Sequence, residues 1–120
     1  MKYIYLSFLL LLANIVLSFF VVESCIENRG VAFGIEIGYV SLINTVLIIG
    51  ISFLALRVKE DLRYILFSIV ILGSGNLLER ILRGYVCDYI PFLHLSINIL
   101  DIGIVVLTII GVLICIFKKE

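Results

Sequence analysis

Residues 73–101 read GSGNLLERILRGYVCDYIPFLHLSINILD, and this stretch decides how the rest of the chain is read. The sequence leading into it from Tyr64 is almost wholly apolar, and the run that follows it to Phe117 is apolar again. Between them lie two carboxylates, Asp88 and Asp101, with amide and guanidinium side chains at Asn76, Arg80 and Asn98. Polar groups gathered between two oily runs predict the ends of two membrane helices joined by a short link.

Composition agrees. Of 120 residues, 63% are hydrophobic and the mean hydropathy is +1.29, whereas a soluble domain is nearer half apolar. Nine acidic and nine basic residues balance, and no basic stripe of the kind nucleic acid requires is present. Nucleic acid is therefore not an expected partner.

Working outward, an apolar run needs about 20 helical residues to cross a hydrocarbon core. Four runs are predicted to do so, over residues 3–22, 38–56, 64–82 and 95–117. The first could instead be a lipoprotein signal peptide, because Val22 to Cys25 distantly resembles a lipobox, but Glu23 is wrong for that motif and the run exceeds a signal core. The expected fold is an all-α integral membrane protein, one four-helix transmembrane bundle over residues 1–120. A short extended segment is expected with it, since Val31, Phe33, Ile35 and Ile37 alternate with small or polar residues. A plain loop fits that segment equally well. Arg57 to Arg63 is expected to be a charged connector.

Lys2, Arg57, Lys59, Arg63, Lys118 and Lys119 fall on one side of such a bundle, with Arg29, Arg80 and Arg83 on the other. The richer side should be cytoplasmic. Both termini are then inside, and the Asn28 segment and the link from Asp88 to Asp101 lie at the outer leaflet. Cys25 and Cys87 share that side, so they either pair or remain two free thiols, while Cys115 is expected to be a small apolar residue near the opposite face.

An ionisable group in a membrane segment is costly unless paired or wetted, which makes Asp101 a functional candidate. Asn98 lies three positions before it, and Asn76 and Arg80 are four apart, so each pair shares a helix face. Two carboxylates brought together in low dielectric cannot both ionise. The ionised one can take a proton from water attacking a carbonyl while the protonated one donates to the carbonyl oxygen and then assists the leaving amine. Spacing alone leaves interhelical polar glue open as the other reading. A zinc protease lacks its ligands, since His94 is the sole histidine and no H-E-x-x-H occurs. Ser74 with His94 is a poor serine dyad, because Ser74 serves more simply as a small packing surface between two glycines. No metal and no cofactor is expected.

Four blocks, in order, resemble signal peptidase II, the lipoprotein signal peptidase family of membrane aspartic proteases. Asn28, Gly30, Ala32, Phe33 and Gly34 resemble its N-x-G-x-A-F-g segment, and Gly75 to Arg80 resembles G-N-L-I-D-R. Gly84 to Ile90 resembles G-x-V-x-D-F-I, and Asn98 with Asp101 resembles F-N-x-A-D. The resemblance implies a four-span bundle of the bacterial inner membrane that cuts prolipoproteins just before a diacylglyceryl-modified cysteine. It implies Asp88 and Asp101 as the catalytic pair, with Asn28, Asn76 and Asn98 holding substrate backbone or orienting the acids. Arg80 would brace the site, and Gly30, Ala32 and Phe33 would belong to the substrate-binding segment. The implied partners are prolipoprotein signal peptides and membrane lipid, with the chain acting as a monomer. Glu79 stands where the family usually has Asp, and the first span offers only Asn14 where members carry an Asp and a Lys. A catalytically inactive member that binds lipidated peptides, or a small structural bundle, is the alternative.

Overall fold

The computed structural model describes residues 2–21, 26–28, 37–83, 86–88, 90–92 and 95–118. Four helices carry most of them: α1 (Lys2–Val16), α2 (Ile37–Ala55), α3 (Glu60–Arg83) and α4 (Ile99–Lys118). A π-helical stretch, Leu17–Val21, prolongs α1. Lipid offers no partner for a backbone N–H or C=O, so an apolar run in a membrane satisfies its own backbone by coiling into a helix. Lys2–Phe20, Glu60–Leu82 and Ile99–Phe117 are long and apolar enough to cross a membrane, while α2 contributes a shorter apolar segment, Ser41–Ala55. The exposed surface agrees: Phe20, Phe53, Leu82 and Phe117 are all at least 66% exposed. Such a surface would aggregate in water and fits hydrocarbon. This is a multi-pass membrane protein built as a helical bundle.

Contacts at specific positions fix how the helices run. Gly75 lies against Leu11 and Leu100, Gly103 against Leu72 and Leu10, and Gly111 against Ile65 and Leu62. Pairs from α3 and α4 thus meet in opposite order, so these two helices are antiparallel. A Cβ built on Gly75 would stand 2.5 Å from Leu11 Cδ1 and 2.9 Å from Leu100 Cδ1. Glycine there lets three helices approach closely, as small residues do in membrane bundles, where no hydrophobic force drives helix association. The link from α2 to α3 is short enough that these two are antiparallel neighbours as well.

On α3, Ile65, Ser68, Leu72, Asn76 and Glu79 are buried. Their spacing of three and four keeps them on one face, and that face turns from apolar to polar toward the end of the helix. Ile65 and Leu72 pack with Leu100 and Leu107 of α4, with Tyr3, Leu10 and Leu11 of α1 alongside. The core runs along α4 from Leu100 to Ile114, and on α3 it gives way to polar groups beyond Leu72.

At that end the chain turns extended. Strand β1 (Ile26–Asn28) pairs antiparallel with β2 (Val86–Asp88), which ties the exit of α1 to the exit of α3. Strand β3 (Ile90–Phe92) pairs with β4 (Leu95–Ile97), directly before α4.

Element boundaries differ from the expected spans at four places. The third helix begins at Glu60 rather than 64, because Glu60 and Asp61 in its first turn complement the positive end of the helix dipole. The charged connector is reduced to the turn over residues 56–59, and Glu60, the first residue of α3, has φ 50°. Residues 95–97 are a strand, and the fourth helix starts at Ile99. Ile37 and Gly38 open α2 instead of ending an extended segment, and residues 29–36 of that segment lie outside the described residues.

Candidate active site

The start of α4 is fixed by its own side chains. Asn98 Oδ1 accepts from the backbone N–H of Asp101 at 3.1 Å, and Asp101 Oδ2 accepts from the backbone N–H of Asn98 at 3.1 Å. This reciprocal pair is a capping box, which satisfies two amides that a helix start would otherwise leave bare. It explains why the helix begins at Ile99 despite apolar residues before it.

Asn76, near the polar end of the α3 face, completes the constellation. Its Nδ2 donates to Asp101 Oδ1 at 3.2 Å, and its Oδ1 accepts from Asn98 Nδ2 at 2.9 Å. Asn98 is fully buried and Asn76 nearly so, while Asp101 keeps partial exposure. Each oxygen of the Asp101 carboxylate therefore has one fixed donor, which sets its orientation and leaves further lone pairs for a water. Hydrogen bonds to a charged acceptor are among the stronger ones, and the two buried amides are satisfied by each other, as interior polar groups must be.

Arg80 lies one turn beyond Asn76 on α3. Asp88 ends β2, with its Cα opposite Ile26. Two residues later Ile90 pairs with Ile97, the neighbour of Asn98. Asp88 is thus two residues in sequence from Ile90, whose strand partner Ile97 directly precedes Asn98 of the capping box. Asn28 occupies β1 opposite Val86. Gly30, Ala32 and Phe33 lie outside the described residues.

Sequence reasoning did not place Glu79 among the site residues, noting it only where the family usually has Asp. It is 4% exposed, and its Oε2 accepts from the backbone N–H of Cys87 at 2.6 Å. The signal was its place on the α3 face, three residues past Asn76. Cys87 is disulfide-bonded and 1% exposed. Cys115 is a free, exposed cysteine, and Cys25 lies outside the described residues. A groove of about 560 Å³ between α1 and α3 is apolar along most of its length and reaches Ser74, Leu78 and Glu79. No group of three or more metal-ligating side chains occurs among the described residues.

A multi-pass helical bundle with a carboxylate held by buried amides at one end defines a membrane protein with a polar site cut into its helix ends. The chain belongs to the signal peptidase (SPase) II family, whose family model matches residues 1–118. It is 30% identical over 92 residues to a lipoprotein signal peptidase of Caldicellulosiruptor bescii, a match covering 69% of this chain and 61% of that protein. To a lipoprotein signal peptidase of Halothermothrix orenii it is 38% identical over 72 residues, covering 56% of this chain and 50% of that protein. The chain thus spans between half and about three-fifths of these curated relatives in the matches. No solved structure matches it.

Proposed function

We propose that the chain is an intramembrane aspartic endopeptidase that removes signal peptides from prolipoproteins, cutting before the diacylglyceryl-modified cysteine. The observation that carries this reading is the Asp101 carboxylate, held on both oxygens by Asn76 and Asn98. Family membership supplies the substrate class. Asp88 is the second acid of the pair, and the short strand route from Asp88 through β3 and β4 to Asn98 supports this.

In the proposed reaction one carboxylate is ionised and removes a proton from a water that attacks the scissile carbonyl. The other is protonated, donates to the developing oxyanion, and after proton exchange assists departure of the amine. Which acid holds the proton is a property of the pair. Asn76 and Asn98 keep Asp101 aimed, Arg80 moderates the negative charge, and Asn28, Gly30, Ala32 and Phe33 contact substrate. The four helices form one domain of four spans in the bacterial inner membrane, with both termini cytoplasmic and the site toward the outer leaflet. Substrate enters laterally from lipid, and one chain suffices.

The alternative is an inactive member that binds lipidated peptides, or a structural bundle. One observation favours it: the capping box already gives Asp101 a structural task. The discriminating experiment reconstitutes the protein in liposomes with two synthetic prolipoprotein peptides, one diacylglycerylated at cysteine and one not. Mass spectrometry should find the lipidated peptide cut at the bond before the cysteine. Binding of the lipidated peptide without cleavage would select the alternative.

A further inference from the structure

We propose that Glu79 is a positioning residue for the catalytic pair: from α3 its buried carboxylate holds the Cys87 amide and so fixes the strand on which Asp88 is mounted. The inference rests on the reading of Asp88 as a member of that pair.

Three observations lead to it. A carboxylate buried in a membrane segment is costly unless something holds it, and Glu79 is 4% exposed on α3. It also stands near the C-terminal end of the helix, where the dipole disfavours negative charge. Its short bond to the Cys87 N–H, at 2.6 Å, is a compensating contact, of the charge-assisted kind.

The second observation is strand geometry. In an antiparallel pair, alternate residues turn their N–H away from the partner strand. Cys87 sits opposite Glu27 in the β1–β2 register, yet its N–H goes to Glu79. Strand β2 is therefore held from one edge by β1 and from the other by the Glu79 carboxylate. The third is connectivity. Asn76, which orients Asp101, lies three residues before Glu79 on the same buried face of α3. One helix face thereby sets both halves of the site: Asn76 fixes Asp101, and Glu79 fixes the residue next to Asp88. Reach matters as well, since aspartate would withdraw the acceptor by about one C–C bond, ~1.5 Å. A misplacement of that order is enough to cost about 100-fold in rate.

The test uses the full chain in lipid nanodiscs with Glu79→Ala, Glu79→Gln and Glu79→Asp. Two readouts are taken: amide hydrogen exchange of the segment 86–88, referenced to the α3 core around Leu72, and kcat and KM on a diacylglycerylated prolipoprotein peptide. Glu79→Ala should speed exchange of the Cys87 amide about 10-fold or more, because a buried donor loses its acceptor, with the Leu72 region unchanged. It should lower kcat roughly 10- to 100-fold with KM within about twofold. Glu79→Gln keeps a carbonyl oxygen in reach and should restore both readouts to within about threefold of the original. Glu79→Asp should behave like the alanine variant, and the Gln and Asp pair carries the test if the alanine protein does not fold. Unchanged exchange and kcat in Glu79→Ala or Glu79→Asp would overturn the proposal, as would a Gln variant as impaired as Ala. If the original protein cuts no lipidated peptide, the proposed reaction fails, and the exchange data still decide whether Glu79 holds the strand.

Discussion

Asn98→Ala tests the constellation at the residue that does most within it. The substitution removes Oδ1, which caps α4 through the Asp101 N–H, and Nδ2, which donates to Asn76. Loss of an N-cap acceptor costs about 1 kcal/mol. An interhelical side-chain hydrogen bond in a membrane protein is worth about 0.6 kcal/mol. Because Asn98 is fully buried, no water replaces either bond, and the expected destabilisation is about 1.5–2 kcal/mol. Asn98→Ser separates the parts: its hydroxyl still caps but does not reach Asn76, so about 0.5–1 kcal/mol should remain. The assay is reversible unfolding in mixed micelles, read by helix circular dichroism, with an Asn76→Ala, Asn98→Ala double-mutant cycle giving the coupling. A coupling of about 0.6 kcal/mol, up to ~1.7, is expected. Asn98→Ala within 0.3 kcal/mol of the original, a value about the additivity error of such measurements, would refute the reasoning. So would Asn98→Ser as damaging as Asn98→Ala, because the cap would then contribute nothing.

Two further outcomes follow from the packing and the cysteines. Gly75→Ala puts a methyl where Leu11 and Leu100 leave 2.5 and 2.9 Å, so it should destabilise the bundle by about 1–3 kcal/mol, whereas Gly50→Ala, which meets nothing within 4 Å, should be nearly neutral in the same unfolding assay. Cys87 is disulfide-bonded and Cys115 is free, so alkylation of the unreduced protein should label Cys115 and spare Cys87 until reductant is added; labelling of Cys87 without reductant would contradict it.

Helix existence was legible because uninterrupted apolar runs admit few other structures in a membrane, and α1, α3 and α4 lie where hydropathy put them. Boundaries were less legible. Glu60 and Asp61 look like connector residues by charge, yet helix starts favour acids, so α3 reaches back to them. Leu95 to Ile97 looks like the start of a span by hydropathy, but the capping box at Asn98 and Asp101 starts the helix later. That box has the same three-residue spacing as a shared helix face, and the sequence analysis took it for the latter. Spacing placed Asn98 with Asp101 and Asn76 with Arg80 as separate pairs; the hydrogen bonds that join Asn76 to Asn98 and Asp101 across two helices were not legible from it. The burial of Glu79 was not legible, because charge suggests a surface and only the packed α3 face buries it. The link between the third and fourth spans concealed its two strand pairings for a related reason: three-residue strands are too short to show a period.

The most direct test of the central claim is cleavage of a diacylglycerylated prolipoprotein peptide in liposomes by Asp88→Asn and Asp101→Asn. Each variant keeps the size of the side chain and removes the acid. The account predicts folded proteins, shown by an unchanged helix signal, with cleavage lowered at least ~1,000-fold, because neither member of an acid pair works alone. Full cleavage by either folded variant would contradict it.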